Sequence, residues 1–205
     1  MTHKFADLAF TNGVKALQVQ AGSRASYARM EGGPVTHDRL GDAEAAFITG
    51  RNSFYMATVS ETGWPYVQHR GGPTGFVRVL DDRRIGFADF RGNRQYVSTG
   101  NLGHDDRISM IFVDYPNRQR LKILGRAAVV GPDHDPDHDI VLQQLNMPDY
   151  RARVERGIII QVDAFDWNCP QHITPRYAAD ELDMITTPLL DKIAHLENEL
   201  AAVRP

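Results

Sequence analysis

The chain has 205 residues, of which 42% are hydrophobic and 24% are charged, and its formal net charge at pH 7 is −3. This length suits one main domain with appended helices, and the composition excludes a chain that is disordered over most of its length. The slight negative charge argues against DNA or RNA as the main partner, because proteins that bind a phosphate backbone usually carry a basic excess.

The cysteine content and the absence of long apolar segments indicate the compartment. Cys169 is the only cysteine, so no intrachain disulfide can form and nothing points to a secreted domain stapled by bridges. The first residues lack a basic segment followed by a sustained apolar segment, and no stretch reaches the about 20 apolar residues of a membrane-spanning helix. We therefore expect a cytoplasmic protein without a membrane partner.

The N-terminal quarter of the chain predicts short helices and a loop. Apolar residues between Lys4 and Gln20 fall roughly at helical spacing, and Asn12-Gly13 is expected to split this segment into two short helices. Residues 22–41 have no clear period and predict a surface loop. Asp42 is a plausible cap for a helix that ends at Gly50.

Seven apolar segments with short turns between most of them then predict β-strands. They are Ser53–Val59, Trp64–His69, Phe76–Leu80, Arg83–Ala88, Arg107–Val113, Arg120–Val130 and Gly157–Phe165. A short helix is expected between Asn93 and Leu102. Such a series favours a mainly β fold in which a closed or partly closed antiparallel barrel has helices at its ends.

The loop from Gly131 to Asp139 is rich in aspartate and histidine, which are metal-binding residue types. It is broken by proline and lacks a ligand spacing that would enforce a coordination geometry, so we expect no metal site. A short helix is expected around Ile140–Leu145.

The last segment, Asp180–Val203, places leucine or valine seven residues apart and predicts a helix with one apolar stripe. This stripe could pack against the chain's own barrel or against a second subunit. Thr187-Pro188 is expected to bend or restart the helix.

Two polar, glycine-bearing segments, Gln68–Gly75 and Asp89–Gln95, each follow a predicted strand. Each offers arginine, amide donors and open backbone, which is a mixture suited to a phosphate and a flat polar ring. The combination predicts an FMN site. The cofactor-binding candidates from these segments and the helix that follows them are Gln68, His69, Arg70, Gly71, Asp89, Asn93, Arg94, Gln95 and Ser98.

Each of these residues alone is weak evidence, because a single arginine is more often a surface group. In this hypothesis Arg70, Asn93, Arg94, Gln95 and Ser98 would hold the phosphate, and Gln68, His69 and the backbone of Gly71 and Gly72 would contact the ring. His69 is also the candidate proton donor, although a histidine at a strand end is more often structural.

The same region resembles a known family. The segments that carry the resemblance are Phe54–Val59, Gly63–Gly72, Gly92–Tyr96, Gly100–Leu102, Asp114–Pro116 and Arg120–Ala127. Together they are similar to the pyridoxamine 5'-phosphate oxidase-like FMN-binding split-barrel proteins, over roughly residues 45 to 178. The resemblance implies a split antiparallel β-barrel, a homodimer, and FMN in a cleft between the two subunits.

The resemblance also implies roles for individual residues. Arg70 corresponds to a strand-end arginine that faces the flavin phosphate or ring edge, and Asn93-Arg94-Gln95 stands where the family's Ser-Arg-Lys turn grips the phosphate. Arg120 falls near a flavin-contacting glutamine. Trp167 and Arg176 resemble residues that reach the cofactor from the other subunit, although Trp167 could equally be a core or interface aromatic.

The chain departs from the family pattern where the vitamin substrate would bind. The family's lysine after the first arginine is replaced by Pro73-Thr74-Gly75, and no Arg-x-His motif is evident around Arg176. We therefore expect an FMN-dependent oxidoreductase whose small-molecule substrate is not pyridoxamine phosphate, with a nicotinamide nucleotide or oxygen as redox partner. The alternative is a flavin-binding or flavin-storing module, or a relative that binds haem or another tetrapyrrole.

The predicted organisation has three parts. They are an N-terminal helical flank and loop over residues 1–41, the split-barrel domain over 42–178, and a C-terminal helix over 179–205.

Overall fold

The computed structural model describes residues 2–131, 138–167 and 169–203. The chain forms two compact units. The sheet unit comprises Met1–Val113 and Arg120–Cys169, and the C-terminal unit comprises Asp114–Gln119 and Pro170–Pro205. Residues 132–137 lie outside the described residues. They are most of the acidic loop in which we expect no metal site. The predicted division into three parts stays a prediction.

The secondary structure elements follow one another in this order along the chain. The helices are α1 (Lys4–Ala9), α2 (Asn12–Gln20), α3 (Arg24–Ala28), α4 (Asp42–Thr49), α5 (Val97–Leu102), α6 (His138–Leu145) and α7 (Ala179–Val203). The strands are β1 (Thr2–His3), β2 (Val35–Thr36), β3 (Ser53–Val59), β4 (Pro65–Gly71), β5 (Val77–Val79), β6 (Arg84–Phe90), β7 (Arg107–Asp114), β8 (Gln119–Val130) and β9 (Val154–Trp167).

The seven longer strands form one sheet in the order β4-β3-β7-β8-β9-β6-β5. In this order β4 and β6 are five places apart, which would separate them by about 24 Å in a flat sheet at ~4.8 Å per strand. The guanidinium of Arg70 on β4 nevertheless forms an ion pair with Asp89 on β6. The sheet therefore curls into a half-barrel, and the predicted fold class, a split antiparallel β-barrel with flanking helices, is confirmed.

The interior of the curl is filled by aromatic side chains from strands that are distant in the sheet. Strand β3 alternates, so that Phe54 and Met56 are buried while Tyr55 between them is exposed. The Phe54 ring lies 5.1 Å from the ring of Phe87 on β6 and 5.2 Å from the ring of Phe112 on β7. Burial of these rings supplies the main driving force for closing the sheet.

All seven predicted strands are confirmed, and five of them, β4, β6, β7, β8 and β9, are longer than predicted. Strand β4 continues to Gly71, which pairs with Ser53, and β6 continues to Phe90. Gln68 and His69 lie in a strand as predicted, whereas Arg70, Gly71 and Asp89, which we expected to follow the predicted strands, lie in strands as well. The reason is that cross-strand pairing extends strands into polar sequence that carries no apolar alternation.

The helical predictions need three corrections. The segment 22–41 is not only a loop, because it contains α3 and β2. The N-cap of α4 is Gly41, whose amide donates to Glu44 Oε2 at 2.9 Å, and Asp42 is the first helical residue. Helix α7 continues through Pro188 without the restart that we considered, and a bend there stays a prediction. The predicted pair of N-terminal helices and the short helices α5 and α6 are confirmed.

The C-terminal unit is dominated by α7. The apolar residues of its stripe are all exposed, including Leu182 and Leu189 at 45% and 61%. Arg176 lies before the helix, with its guanidinium 5.1 Å from the centre of the Tyr115 ring. Within the described residues, no helix combines the length and apolar character needed to cross a bilayer.

The N-terminal segment packs on β9 through a pair of histidines. His3 on β1 stacks on His37 with ring centres 3.7 Å apart, and the amide of Phe165 on β9 donates to the His37 carbonyl at 2.8 Å. His3 Nε2 also lies 3.5 Å from Asp166, which pairs with Lys122 at 3.6 Å. Burial, followed by the neighbouring His37, lowers the pKa of His3, and Asp166 offsets part of this effect.

This lowered pKa predicts a loss of stability in mild acid. The unfolded chain binds a proton at His3 at higher pH than the folded chain does, so the stabilisation is present above about pH 6.5 and is lost as the pH falls through the folded pKa. We expect the difference in unfolding free energy between pH 7.5 and 5.5, measured with urea, to be smaller in His3→Gln than in the native chain. His195→Gln on exposed α7 is the control, and an unchanged pH dependence in His3→Gln would contradict the assignment.

Candidate functional site

A cleft of about 220 Å³ opens in the sheet unit where β4 meets the end of β6 and the start of α5. The loop 91–96 forms one wall, and β9 adds one residue. The residues that line the cleft are Tyr66, Gln68, Arg70, Asp89, Phe90, Gly92, Asn93, Arg94, Gln95, Tyr96, Val97, Ser98, Thr99 and Glu155. Both polar segments singled out in the sequence therefore meet at one place.

The alternation of β4 decides which of its residues reach the cleft. Tyr66, Gln68 and Arg70 are half-buried and share the inner face, whereas Val67 and His69 are exposed on the other face. Successive side chains of a strand point to opposite faces, so Gln68 and Arg70 cannot share a face with His69. Among the β4 candidates, only Gln68 and Arg70 line the cleft.

Helix α5 is fixed to the sheet by two side-chain hydrogen bonds. Ser98 Oγ donates to Gln68 Oε1 at 2.8 Å, and Asn101 Nδ2 donates to Thr58 Oγ1 at 2.9 Å. Ser98, Asn101 and Thr58 are all buried. Buried polar groups that are paired in this way hold an element in one position, because leaving one unpaired is costly. The start of α5 is thus a rigid wall of the cleft.

The loop 91–96 holds two non-glycine residues in the left-handed region. Arg94 has φ 61° and Tyr96 has φ 55°. Asn93 Oδ1 accepts a hydrogen bond from the amide of Gln95 at 3.1 Å, which closes a local turn between them. Such backbone conformations cost free energy and cluster at functional sites, so a loop that holds two of them is a candidate functional element.

A buried carboxylate lies on the floor of the cleft. Asp89 is 6% exposed, its Oδ1 is bound by Arg70, and its Oδ2 lies 3.4 Å from Arg156 Nε. A buried charge is tolerated only when it is paired, and Asp89 has two guanidinium partners. The positive charge of Arg70 is therefore largely neutralised by Asp89.

Arg94 is the cleft arginine that remains open to a ligand. Its Nε donates to the Tyr96 hydroxyl at 2.9 Å, and this hydrogen bond raises the pKa of Arg94. Its side chain is exposed, and neither Nη group has a hydrogen-bond partner among the described residues. Arg94 therefore presents a permanent positive charge with unused donors to the cleft.

Several predicted residues lie away from the cleft lining. His69 lies on the outer face of β4, with its ring 5.4 Å from that of Tyr55. Gly71 ends β4, and the neighbouring amide of Gly72 already donates to the Asn52 carbonyl at 3.0 Å. Arg120 is on β8.

The two late residues of the family pattern are also placed elsewhere. Trp167 Nε1 donates to Glu44 Oε1 at 2.7 Å, and its ring meets Phe47 edge-on at 4.7 Å. Arg176 belongs to the C-terminal unit. Their roles as contacts from a second subunit stay predictions.

The sequence reasoning missed Tyr66, Phe90, Tyr96, Glu155 and Arg156. The predicted last strand began at Gly157, because the polar residues before it carry no alternation. Glu155 and Arg156 nonetheless belong to β9. Within the described residues, no cluster of histidine, cysteine and acidic side chains is arranged to hold a metal ion.

The family is established by comparison of the sequence. Residues 40–158, more than half of the chain, match the model of the family described as pyridoxamine 5'-phosphate oxidase. The chain therefore belongs to the pyridoxamine 5'-phosphate oxidase family, whose fold typically binds flavin. A comparison with curated proteins found no match.

Solved structures with similar folds share little sequence with this chain. HupZ of Group A Streptococcus is 16% identical, with 67% of this chain and 100% of that chain covered and a TM-score of 0.48. A putative pyridoxamine 5'-phosphate oxidase of Lactobacillus delbrueckii is 18% identical, with coverages of 63% and 94% and a TM-score of 0.47. An FMN-binding protein of Syntrophomonas wolfei is 11% identical, with coverages of 61% and 83% and a TM-score of 0.45.

Removing the buried carboxylate should destabilise the fold. In Asp89→Ala the guanidinium groups of Arg70 and Arg156 lose their shared partner inside the cleft, and we expect a loss of about 3–5 kcal/mol in the free energy of unfolding. Asp82→Ala removes the exposed pair with Arg39 and should cost at most about 1 kcal/mol. Urea unfolding of both variants tests this difference, and equal losses would show that Asp89 is not a structural centre.

Proposed function

We propose that the protein is an FMN-binding flavoprotein that acts as an oxidoreductase on a small molecule. The observation that carries the proposal is the loop 91–96, which presents the open guanidinium of Arg94 to a cleft in a chain of this family. A phosphate dianion requires such a donor, because charged hydrogen bonds compensate for its lost hydration.

The donors of the cleft fit the two ends of FMN. Arg94, Asn93 and Gln95 would hold the phosphate, and Ser98, whose hydroxyl donates to Gln68, would fix the start of α5 beside it. The Oε1 atom of Gln68 is occupied by Ser98, so its amide nitrogen is left to donate to a carbonyl of the pyrimidine edge. The half-buried Tyr66 and Phe90 add apolar surface for the ring.

The size of the cleft supports the second part of the proposal, a homodimer with FMN at the subunit interface. Ligand sites usually measure about 300–1,000 Å³, and the cleft of one chain, at about 220 Å³, is smaller. Exposed apolar side chains on and beside the outer face of β3 and β4, namely Tyr55, Trp64 and Val67, offer a surface for a second copy. In this arrangement Trp167 and Arg176 of the second subunit would complete the site.

Bound FMN would supply the redox chemistry of its ring, and the protein would bind, orient and shield it. Arg70 adds less positive charge at the ring edge than a free arginine would, because Asp89 neutralises it.

The substrate remains a small molecule other than pyridoxamine phosphate, since Pro73-Thr74-Gly75 replaces the family lysine. The proposal includes a nicotinamide nucleotide, NADH or NADPH, or oxygen as redox partner, and a cytoplasmic location.

One observation favours the alternative of a flavin-binding or flavin-storing module. His69, the candidate proton donor, lies on the outer face of β4, and no histidine lines the cleft of the described chain. A cleft without histidine also offers no imidazole to a haem iron, so the haem or tetrapyrrole alternative has less support.

The assignment of the phosphate predicts a selective effect of Arg94→Ala. The variant should bind FMN about 10- to 100-fold more weakly, as expected for the loss of charged hydrogen bonds, and should bind riboflavin, which lacks the phosphate, unchanged. Quenching of flavin fluorescence measures both affinities. Arg107→Ala, far from the cleft, is the matched control, and full FMN affinity in Arg94→Ala would place the phosphate elsewhere.

Reduction of the bound flavin by a nicotinamide nucleotide distinguishes an oxidoreductase from a flavin-storing module. If the protein is an oxidoreductase, NADH or NADPH added without oxygen should bleach the visible absorption of the bound flavin far faster than that of free FMN. Bleaching at the rate of free FMN with both nucleotides would contradict nucleotide-dependent turnover and favour the binding module.

A further inference from the structure

A β-bulge brings Glu155 to the cleft. On β6 and β9, Asp89 pairs with Arg156 and the next residue, Phe90, pairs with Val154, so Glu155 is the extra residue of the bulge. Bulges interrupt the alternation of a strand and often re-aim a side chain beside an active site. Glu155 lines the cleft as a result, although it directly precedes Arg156, which binds the floor carboxylate Asp89.

Glu155 is connected to Arg94 through one hydroxyl group. The Tyr96 hydroxyl donates toward both carboxylate oxygens of Glu155, at 3.3 and 3.4 Å, and accepts from Arg94 Nε at 2.9 Å. The contact joins the bulge of β9 to the loop 91–96. Arg94 and Tyr96, the two loop residues that take part in these hydrogen bonds, both have left-handed backbone conformations. Strained conformations persist only when their surroundings hold them, and this chain of hydrogen bonds supplies such a hold.

The negative charge of Glu155 is compensated inside the protein. Arg156 Nη2 donates to Glu155 Oε2 at 3.1 Å, and Arg91 Nε lies 3.8 Å from Oε1. The side chain of Glu155 is 17% exposed. A carboxylate held between two guanidinium groups repels a nearby anion less than a free one, which allows it to lie beside a phosphate site.

We propose that Glu155 is a positioning residue that fixes the guanidinium of Arg94, through the Tyr96 hydroxyl, in the orientation that binds the phosphate of FMN. The inference rests on the proposed function and assigns a role to a residue outside the loop itself. The side chain of Arg94 has several rotatable bonds, and anchoring its Nε leaves the two Nη groups aimed at the ligand. Pre-ordering a donor in this way reduces the entropy lost on binding.

Whether Glu155→Ala weakens or strengthens FMN binding distinguishes a positioning role from a simple charge effect. If Glu155 acted only as a negative charge near the phosphate, Glu155→Ala would strengthen FMN binding, and Glu155→Gln would do the same. If it positions Arg94, Glu155→Ala weakens FMN binding. Glu155→Gln then restores part of the affinity, because its amide oxygen still accepts from Tyr96.

The experiment measures the affinities of the full chain for FMN and for riboflavin by fluorescence quenching. Glu155→Ala and Tyr96→Phe should each weaken FMN binding by about 3- to 10-fold, the range for one lost hydrogen bond, without changing riboflavin binding. In the Arg94→Ala background, Tyr96→Phe should have no further effect. Glu61→Gln and Tyr27→Phe, both outside the cleft, are the matched controls, and thermal melts check that each variant is folded.

The outcomes distinguish the inference from the proposed function. If Arg94→Ala loses FMN affinity while Tyr96→Phe and Glu155→Ala keep or increase it, the positioning role is wrong and the flavin site stands. If the native chain does not bind FMN, or Arg94→Ala binds it fully, the phosphate assignment fails and the positioning role fails with it. Should Glu155→Ala not fold, Tyr96→Phe decides the question alone.

Discussion

The carboxylate of Asp89 holds together the parts of the structure on which the site depends. It lies on β6, it is nearly fully buried, and it contacts Arg70 on β4 and Arg156 on β9. Strands β4 and β6 are five places apart in the sheet, so this ion pair bridges the open side of the curl. The aromatic interior supplies the free energy for curling, and the ion pair fixes where β4 meets β6. That meeting point is the floor of the cleft.

This arrangement divides the arginines of the cleft by role. Arg70 is paired with Asp89 inside the protein, whereas Arg94 lies on the loop 91–96 with unused donors and is the proposed ligand contact. The neighbouring strands β6 and β9 carry the bulge that brings Glu155 to the hydroxyl of Tyr96 in this loop. The buried ion pairs of Asp89 fix the strands on which the loop 91–96 rests. The position of these strands therefore determines where the side chain of Arg94 points.

The sequence predicted the fold better than it predicted the roles of single residues. Apolar segments separated by short turns located all seven strands, because a strand that buries side chains in the core carries apolar residues, as Phe54–Val59 does. A sequence pattern cannot reveal which distant strands meet, so it did not show the pairing of Arg70 with Asp89, and Asp89 was predicted only as a cofactor-binding residue. Glu155 was missed because a bulge interrupts the alternation of a strand, so the polar residues at the start of β9 show no strand pattern in the sequence.

The family resemblance and the polar segments predicted a site in residues that the fold brings together at one cleft, and the strand geometry decides which of them line it. Gln68 and Arg70 reach the cleft and His69 does not, although the three are adjacent in sequence, because a strand turns successive side chains to opposite faces. The residues predicted to come from a second subunit, Trp167 and Arg176, do not line the cleft of one chain. A single sequence without its partner cannot place such residues.

We propose that this cleft binds FMN with the phosphate at the loop 91–96, and a crystal structure of the protein with FMN would show where the phosphate lies. We expect the phosphate oxygens within hydrogen-bond distance of the Nη groups of Arg94 and the ring beside Gln68, with the Arg70–Asp89 pair intact. Density for FMN with its phosphate on Arg70 and the Asp89 pair broken, or at a place away from this cleft, would contradict the account.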